Sequence, residues 1–215
     1  EFVMVTLYYY PGNASFAPHM LLEEIGVPFQ LSLVDKKNKA QKTPEYLALN
    51  PAGRIPVLVD DGQPLFEAAA ICLHLCDKNP KAVLFPATGT RERSLAYQWL
   101  MYLTNTVQTE LVMYFYPERY TTHVVEAPHI VAAQEVRITE MFALLDRALE
   151  HKTYLVGSTP TACDYYLFML ASWADEFPTP PLSFPNIKRV LKALTNRPAV
   201  QRVCLKEGFD LTPYQ

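Results

Sequence analysis

The stretch Asn50-Pro-Ala-Gly-Arg-Ile-Pro-Val-Leu-Val-Asp-Asp-Gly-Gln-Pro-Leu-Phe-Glu67-Ala-Ala-Ala-Ile71 leaves this chain few ways to fold. It reads as a turn, a proline-led strand, a tight Asp61-Gly62 hairpin, a short second strand and the start of a helix. Pro56 opens the apolar run Val57-Leu58-Val59 and has no N–H to give to a ladder. The Ile55–Pro56 bond is a candidate cis peptide; in that form it turns the backbone groups of Ile55 outward, where an extended peptide pairs with them. Glu67 precedes Ala-Ala-Ala-Ile-Cys-Leu-His-Leu-Cys, a strong helix former, so positions 67–69 are expected at a helix N-terminus. Free N–H groups and the positive dipole end there suit a carboxylate. A strand edge and a helix start thus meet at one corner fit for a peptide-like anion.

Two organisations follow each other along the chain. Up to about residue 80 strands and helices alternate: strand Val3–Tyr9, helix Phe16–Ile25, strand Phe29–Val34, helix Pro44–Leu49, strands Val57–Val59 and Leu65–Phe66, helix Ala68–Asp77. Gly26 ends the first helix, and Thr43-Pro44-Glu45 supplies a cap with proline in the first turn. This βαβ–α–ββα order predicts a thioredoxin-like α/β domain over 4–80. Asn79 to Thr90, with Pro80, Pro86 and Gly89, reads as a linker. Beyond it the pattern is helical, over about 91–116, 126–150, 162–176, 185–195 and 198–207, giving an all-α domain over 91–215. Phe177-Pro-Thr-Pro-Pro-Leu-Ser-Phe-Pro185 is a rigid connector. Glu1 to Val3, ahead of Met4, read as an expression remnant.

With 215 residues, half of them apolar, and a net charge of −3, the chain is expected to be a soluble two-domain protein without a polybasic surface for nucleic acid. It has no apolar run long enough for a membrane span and no signal peptide pattern. Cys72, Cys76, Cys163 and Cys204 match neither a dithiol redox spacing nor a zinc set, and read as core thiols of a cytosolic protein.

The Gly-Arg-Ile55-Pro56 turn followed by Glu67-Ala-Ala-Ala-Ile71 resembles the glutathione-binding half of the cytosolic glutathione transferases, whose usual wording is Gly-x-Ile/Val-Pro and then Glu-Ser-x-Ala-Ile. Ala68 stands where that family has serine. Thr161-Ala-Cys-Asp164 before an apolar helix fits a capping box, and the family carries a similar Ser/Thr-x-x-Asp at this point as a folding signal. Tyr8-Tyr-Tyr-Pro-Gly-Asn-Ala-Ser15-Phe-Ala-Pro-His19 is most similar to the bacterial beta class, with Tyr-x-Pro-Gly-Ala-Cys-Ser-x-Ala-Pro-His. Matched along that pattern, the class cysteine falls on Ala14, the serine on Ser15 and the tyrosine on Tyr9. No mixed disulfide with glutathione is therefore expected here.

The resemblance implies a transferase fold working as a homodimer. Its function would be detoxifying conjugation of glutathione, the co-substrate, to an apolar electrophile, with no metal. A free thiol has a pKa of about 8.5, so a hydrogen bond to sulfur at a helix N-terminus is needed to favour the anion. Lowering that pKa by two units is worth about 2.7 kcal/mol. Ser15 is the first candidate donor, also expected to cap helix one; the Asn13 side-chain amide is the second and Tyr9 the third. Asn13 also reads as a turn residue, and one of Tyr8, Tyr9 and Tyr10 should face the core. His19 is expected in packing rather than in chemistry. Gln41 and Lys42 would reach the glycine carboxylate, while Lys36, Lys37 and Lys39 read as a solvated loop. Arg54, Ile55, Pro56, Glu67 and Ala68 would line the rest of the tripeptide site. Phe16, Tyr114 and Trp173 are candidate walls of a second-substrate pocket between the halves. Losing the serine hydroxyl at Ala68 weakens glutathione by about 1.5–3 kcal/mol. That keeps two other readings open: a non-catalytic binding module on the same fold, and glutathione-dependent peroxide reduction, isomerisation or ether cleavage.

Overall fold

The computed structural model describes residues 4–215; Val3, the expected first strand residue, lies outside them. Contacts divide the chain into two units, one holding residues up to Phe85 together with Thr195–Pro213, the other Pro86–Leu194 with Tyr214.

The first unit runs β1 (Val5–Tyr9), α1 (Phe16–Ile25), β2 (Phe29–Leu33), α2 (Pro44–Leu49), β3 (Val57–Asp60), β4 (Gln63–Phe66) and α3 (Ala68–Lys78). The sheet order is β2-β1-β3-β4, with β1 parallel to β2 and antiparallel to β3, and β3 antiparallel to β4. The thioredoxin-like arrangement expected from the alternation is present. Local chemistry sets the ends: Gly26 adopts φ 75° and closes α1 on the Leu22 carbonyl, while the Thr43 hydroxyl accepts from the Tyr46 N–H ahead of Pro44. The Ile55–Pro56 peptide is cis.

Register decides where the corner lies. Tyr8 pairs with Val57, and Val57 pairs with Phe66. The residues just after β1, just before β3 and just after β4 therefore share one end of the sheet, and α1 and α3 both begin there.

The last helix, α9 (Pro198–Glu207), groups by its contacts with the first unit. Every residue of α1 from Phe16 to Leu22 is buried. A helix apolar all round must be covered on more than its sheet side, and α9 packs along it.

The second unit contains α4 (Arg91–Met101), α5 (Gln108–Phe115), α6 (Ala127–Ala148), α7 (Ala162–Trp173) and α8 (Pro185–Thr195). The single helix expected over 91–116 is interrupted by a π-helical stretch at Tyr102–Val107. There Thr104 and the buried Tyr166 both donate to the Gln108 side-chain carbonyl, at 3.2 and 2.5 Å, filling the widened turn with polar contacts. α7 is the core of this unit, buried from Ala162 to Ala171. Its capping box is present, and the Asp164 carboxylate accepts from the N–H groups of Thr161 (2.8 Å) and Leu155 (2.9 Å) and from the Thr161 hydroxyl (3.1 Å). An Asp164→Ala chain should lose about 2–3 kcal/mol by denaturant titration, since two buried N–H groups lose their acceptor. A loss under 0.5 kcal/mol would show that water replaces the carboxylate.

All four cysteines are buried and free. Among the described residues no helix is long and apolar enough to cross a membrane, and no group of three or more His, Cys, Asp or Glu could hold a metal ion.

Candidate active site

The loop from Tyr10 to Ser15 folds on itself before α1 begins. The Tyr10 carbonyl accepts from the Asn13 N–H (3.1 Å) and the Ser15 hydroxyl (3.2 Å), while the Ser15 oxygen accepts from the Tyr10 N–H (3.3 Å). Ser15 sits at the N-cap position but makes no capping bond, and it is fully buried. The Ser15 hydroxyl, the first candidate donor, thus lies within hydrogen-bond reach of both Tyr10 backbone groups and ties the loop together. The backbone N–H groups of Ala14 and Ser15, by contrast, have no acceptor among the described residues.

Asn13 is half-buried, and its side-chain oxygen accepts from Lys36 Nζ at 3.4 Å. A lysine can only donate, so the carbonyl of Asn13 must face it and the NH2 group turns the other way. Lys36, expected to be solvated, instead orients the amide. Tyr9 ends β1. Alternation along β1 puts it on the face of Leu7, 9 % exposed, with its ring edge 6.0 Å from His19. Burial and then the Glu207 carboxylate raise its phenol pKa. Tyr8 turns to the opposite face, against Tyr46.

His19 packs between Tyr9 and Phe29. Its Nδ1 lies 2.6 Å from Glu207 Oε1 on α9, with both side chains 1 % exposed. The other oxygen of Glu207 accepts from the Gly12 N–H at 2.9 Å. No sequence pattern pointed to Glu207, which lies 195 residues from Gly12.

On the other side of the corner, a side-chain frame sets the cis-proline turn. Tyr46 OH and Asn50 Nδ2 both donate to the Arg54 carbonyl at 2.8 Å, and Asn50 Oδ1 accepts from the Ala52 N–H. Gly53 is required there: its φ is +59°, and a Cβ would meet Lys42 Nζ at 2.7 Å and the Gln41 carbonyl at 2.9 Å. Pairing of β3 begins at Val57, which leaves the backbone of Ile55 outside the sheet ladders. Gln41 Oε1 is buried with no hydrogen-bond partner, and such an atom costs free energy until a donor reaches it. Lys42 and Arg54 are exposed.

Glu67 is exposed and holds φ 76°, ψ 110°, a conformation that stores about 1–3 kcal/mol in a non-glycine residue. Its side chain caps nothing. α3 therefore opens with the N–H groups of Ala68 and Ala69 lacking acceptors among the described residues. Ala68 is 5 % exposed, its methyl packed inward. Two helix starts with free donors, a loose strand edge and several cations thus share one end of the sheet. This arrangement takes an extended, anionic peptide.

Of the expected pocket walls, Phe16 is 1 % exposed and packs against Phe209 at 5.6 Å. Tyr114 and Trp173 are brought together on a cleft of about 320 Å³ in the helical unit.

Comparison with known proteins agrees with these features. Residues 3–77 match the family model "Glutathione S-transferase, N-terminal domain", and residues 105–198 match "Glutathione S-transferase, C-terminal domain". The chain belongs to the glutathione S-transferase family. It is 29 % identical over 205 residues to the glutathione S-transferase GstA of Escherichia coli O157:H7, covering 94 % of this chain and 98 % of that protein. It is 31 % identical over 170 residues to glutathione S-transferase GST-4.5 of Xanthomonas campestris pv. campestris, covering 78 % and 81 %. A glutathione transferase homologue from Sulfitobacter, crystallised with bound glutathione, superposes with a TM-score of 0.88 at 27 % identity, covering 95 % and 98 %.

Proposed function

We propose that this chain conjugates reduced glutathione to an apolar electrophile through a thiolate held by hydrogen bonds, without a covalent enzyme intermediate. The observation that carries the reading is the start of α1, where the Asn13 amide and the N–H groups of Ala14 and Ser15 stand without acceptors. Unpaired donors at a helix start favour an anion, and Ala14 in place of a cysteine leaves no protein thiol in the loop to compete.

The residues present fit the tripeptide. The free N–H groups of Ala68 and Ala69 suit the γ-glutamyl carboxylate, and the strained, uncapped Glu67 suits its ammonium. Ile55 offers main-chain groups to the central residue. Lys42, Arg54 and the amide of Gln41 suit the glycine carboxylate, with the orphaned Gln41 Oε1 awaiting a donor. Deprotonation of the cysteine thiol sends its proton to solvent. The sulfur then attacks the electrophilic carbon and displaces or adds according to the substrate.

Calorimetry with reduced glutathione tests the reading. Binding between micromolar and low-millimolar strength is expected, and silence up to about 10 mM would overturn it in favour of a non-catalytic module. Restoring the missing hydroxyl with Ala68→Ser should tighten binding about tenfold, the lower range for a hydrogen bond to a charged group. Unchanged affinity would show that the γ-glutamyl end is held elsewhere.

A further inference from the structure

A groove of about 950 Å³ runs between α1, β2 and α9, and every residue lining it belongs to the first unit. That volume falls within the range of small-molecule sites. Leu22, Val27, Phe29 and Leu31 form its apolar wall, and Leu205 of α9 stands beside them 85 % exposed. Of the cations in the lining, Arg202 is spent on Glu23, with Nε 2.8 Å from Oε2. Lys206 is exposed and has no ion-pair partner among the described residues. One polar side chain of the lining is buried: His19, 1 % exposed. Its Nδ1 faces Glu207, whereas its Nε2 has no hydrogen-bond partner among the described residues. A buried ring nitrogen left without a protein partner, on a residue that lines a groove, calls for a ligand there.

We infer that this groove binds a small organic anion with an apolar body, such as an aryl carboxylate, and that the bound anion steadies the loop ahead of α1. The carboxylate pairs with Lys206 and accepts from His19 Nε2–H, while the body lies against Leu22, Val27 and Leu31. Glu207 carries the effect across. One of its oxygens accepts from the Gly12 N–H at 2.9 Å, and the other faces His19 Nδ1 at 2.6 Å. A carboxylate only accepts, so Nδ1 carries hydrogen. An anion at Nε2 therefore selects the imidazolium, with a donor on each side and the second proton drawn from solvent. His19 is then held between two carboxylates, and Glu207 is fixed where it holds Gly12. A neutral molecule of the same shape fills the space without pairing with Lys206. Any consequence for glutathione rests on the function proposed above, whereas binding of the anion and its effect on the loop do not.

The test titrates 3-phenylpropanoate and its neutral counterpart, 3-phenylpropanamide, calorimetrically into the full chain without glutathione. The carboxylate should bind at least about fivefold more tightly than the amide. Lys206→Gln, an exposed change, should weaken the carboxylate about threefold and leave the amide unchanged. Val27→Trp, which narrows the groove and leaves His19 and Glu207 in place, should weaken both probes at least about tenfold. Saturating carboxylate should slow amide exchange at Gly12 at least about threefold, read by NMR, and the neutral amide should not. Equal binding of the two probes, binding untouched by both variants, or no binding up to about 10 mM would overturn the inference. Unchanged exchange at Gly12 under saturation would overturn the link from groove to loop.

Discussion

Under the proposed conjugation, an Asn13→Ala variant is expected to be about 10- to 100-fold slower in kcat/KM, the range for one hydrogen bond to a charged atom. Lys36 fixes the oxygen side of the Asn13 amide, which presents the two N–H bonds at the α1 start beside the free N–H groups of Ala14 and Ser15. Losing that donor should raise the pKa of bound glutathione by about one to two units, read from the pH dependence of thiolate absorbance in the binary complex. Asn13→Asp should be worse than alanine, because it sets a like charge against the sulfur. Ser15→Ala serves as the contrast. Its hydroxyl is spent on Tyr10, so its main expected effect is on loop stability, with the bound thiol pKa nearly unchanged. A thiol pKa that moved with Ser15 and stayed put with Asn13 would reverse the assignment.

Glu207→Ala should destabilise the fold by about 2–4 kcal/mol, because two hydrogen-bonding groups lose their partner at once. Out of a typical total of about 5–15 kcal/mol, that is a large fraction. The change strips His19 of the carboxylate 2.6 Å from its ring nitrogen and takes from the Gly12 N–H its bond to α9. The loop carrying Asn13 is thereby loosened, so the KM for glutathione should rise in protein that remains folded. Glu207→Gln keeps the shape and one acceptor and should recover part of the stability. Chemical denaturation of the single variants and of His19→Ala with Glu207→Ala gives the coupling between the two side chains. Stability within 0.5 kcal/mol of the parent would show that α9 does not anchor this loop.

The strength and the limit of sequence reasoning here both come from range. Strand and helix order in the first unit was legible because period, proline and glycine act locally: α1 and α2 begin and end where expected, and Ile55–Pro56 is cis. Thr161 and Asp164 were legible for the same reason, three residues apart on one helical turn. The contact of Ser15 with Tyr10 was not legible, because it lies in a loop whose course no periodicity describes. The face on which Tyr9 lies was not legible, because strand alternation gives two faces without saying which one meets α1. Glu207 was invisible, being an ordinary charged residue near the end of a surface-patterned helix whose partners lie nearly the whole chain away. The π-helical stretch at Tyr102–Val107 escaped because its extra residue per turn leaves the apolar pattern nearly intact. The burial of Phe16 was not legible, because aromatic residues at helix starts serve core and cleft alike.

The position of α9 has a consequence for the order of events in biogenesis. The sheet, α1 and α3 leave the ribosome before α9, and α1 meets α9 only when residues beyond Thr195 emerge, roughly 110 residues after Phe85. At ordinary elongation speeds that delay is roughly 5–20 s. Through that interval the nascent α1 keeps an uncovered apolar side and the Gly12–Ser15 loop lacks its anchor. The first unit to be synthesised is thus among the last to finish folding, and its high contact order makes closure slow. A chaperone binding site on the nascent chain is expected over Phe16–Leu22 until α9 arrives.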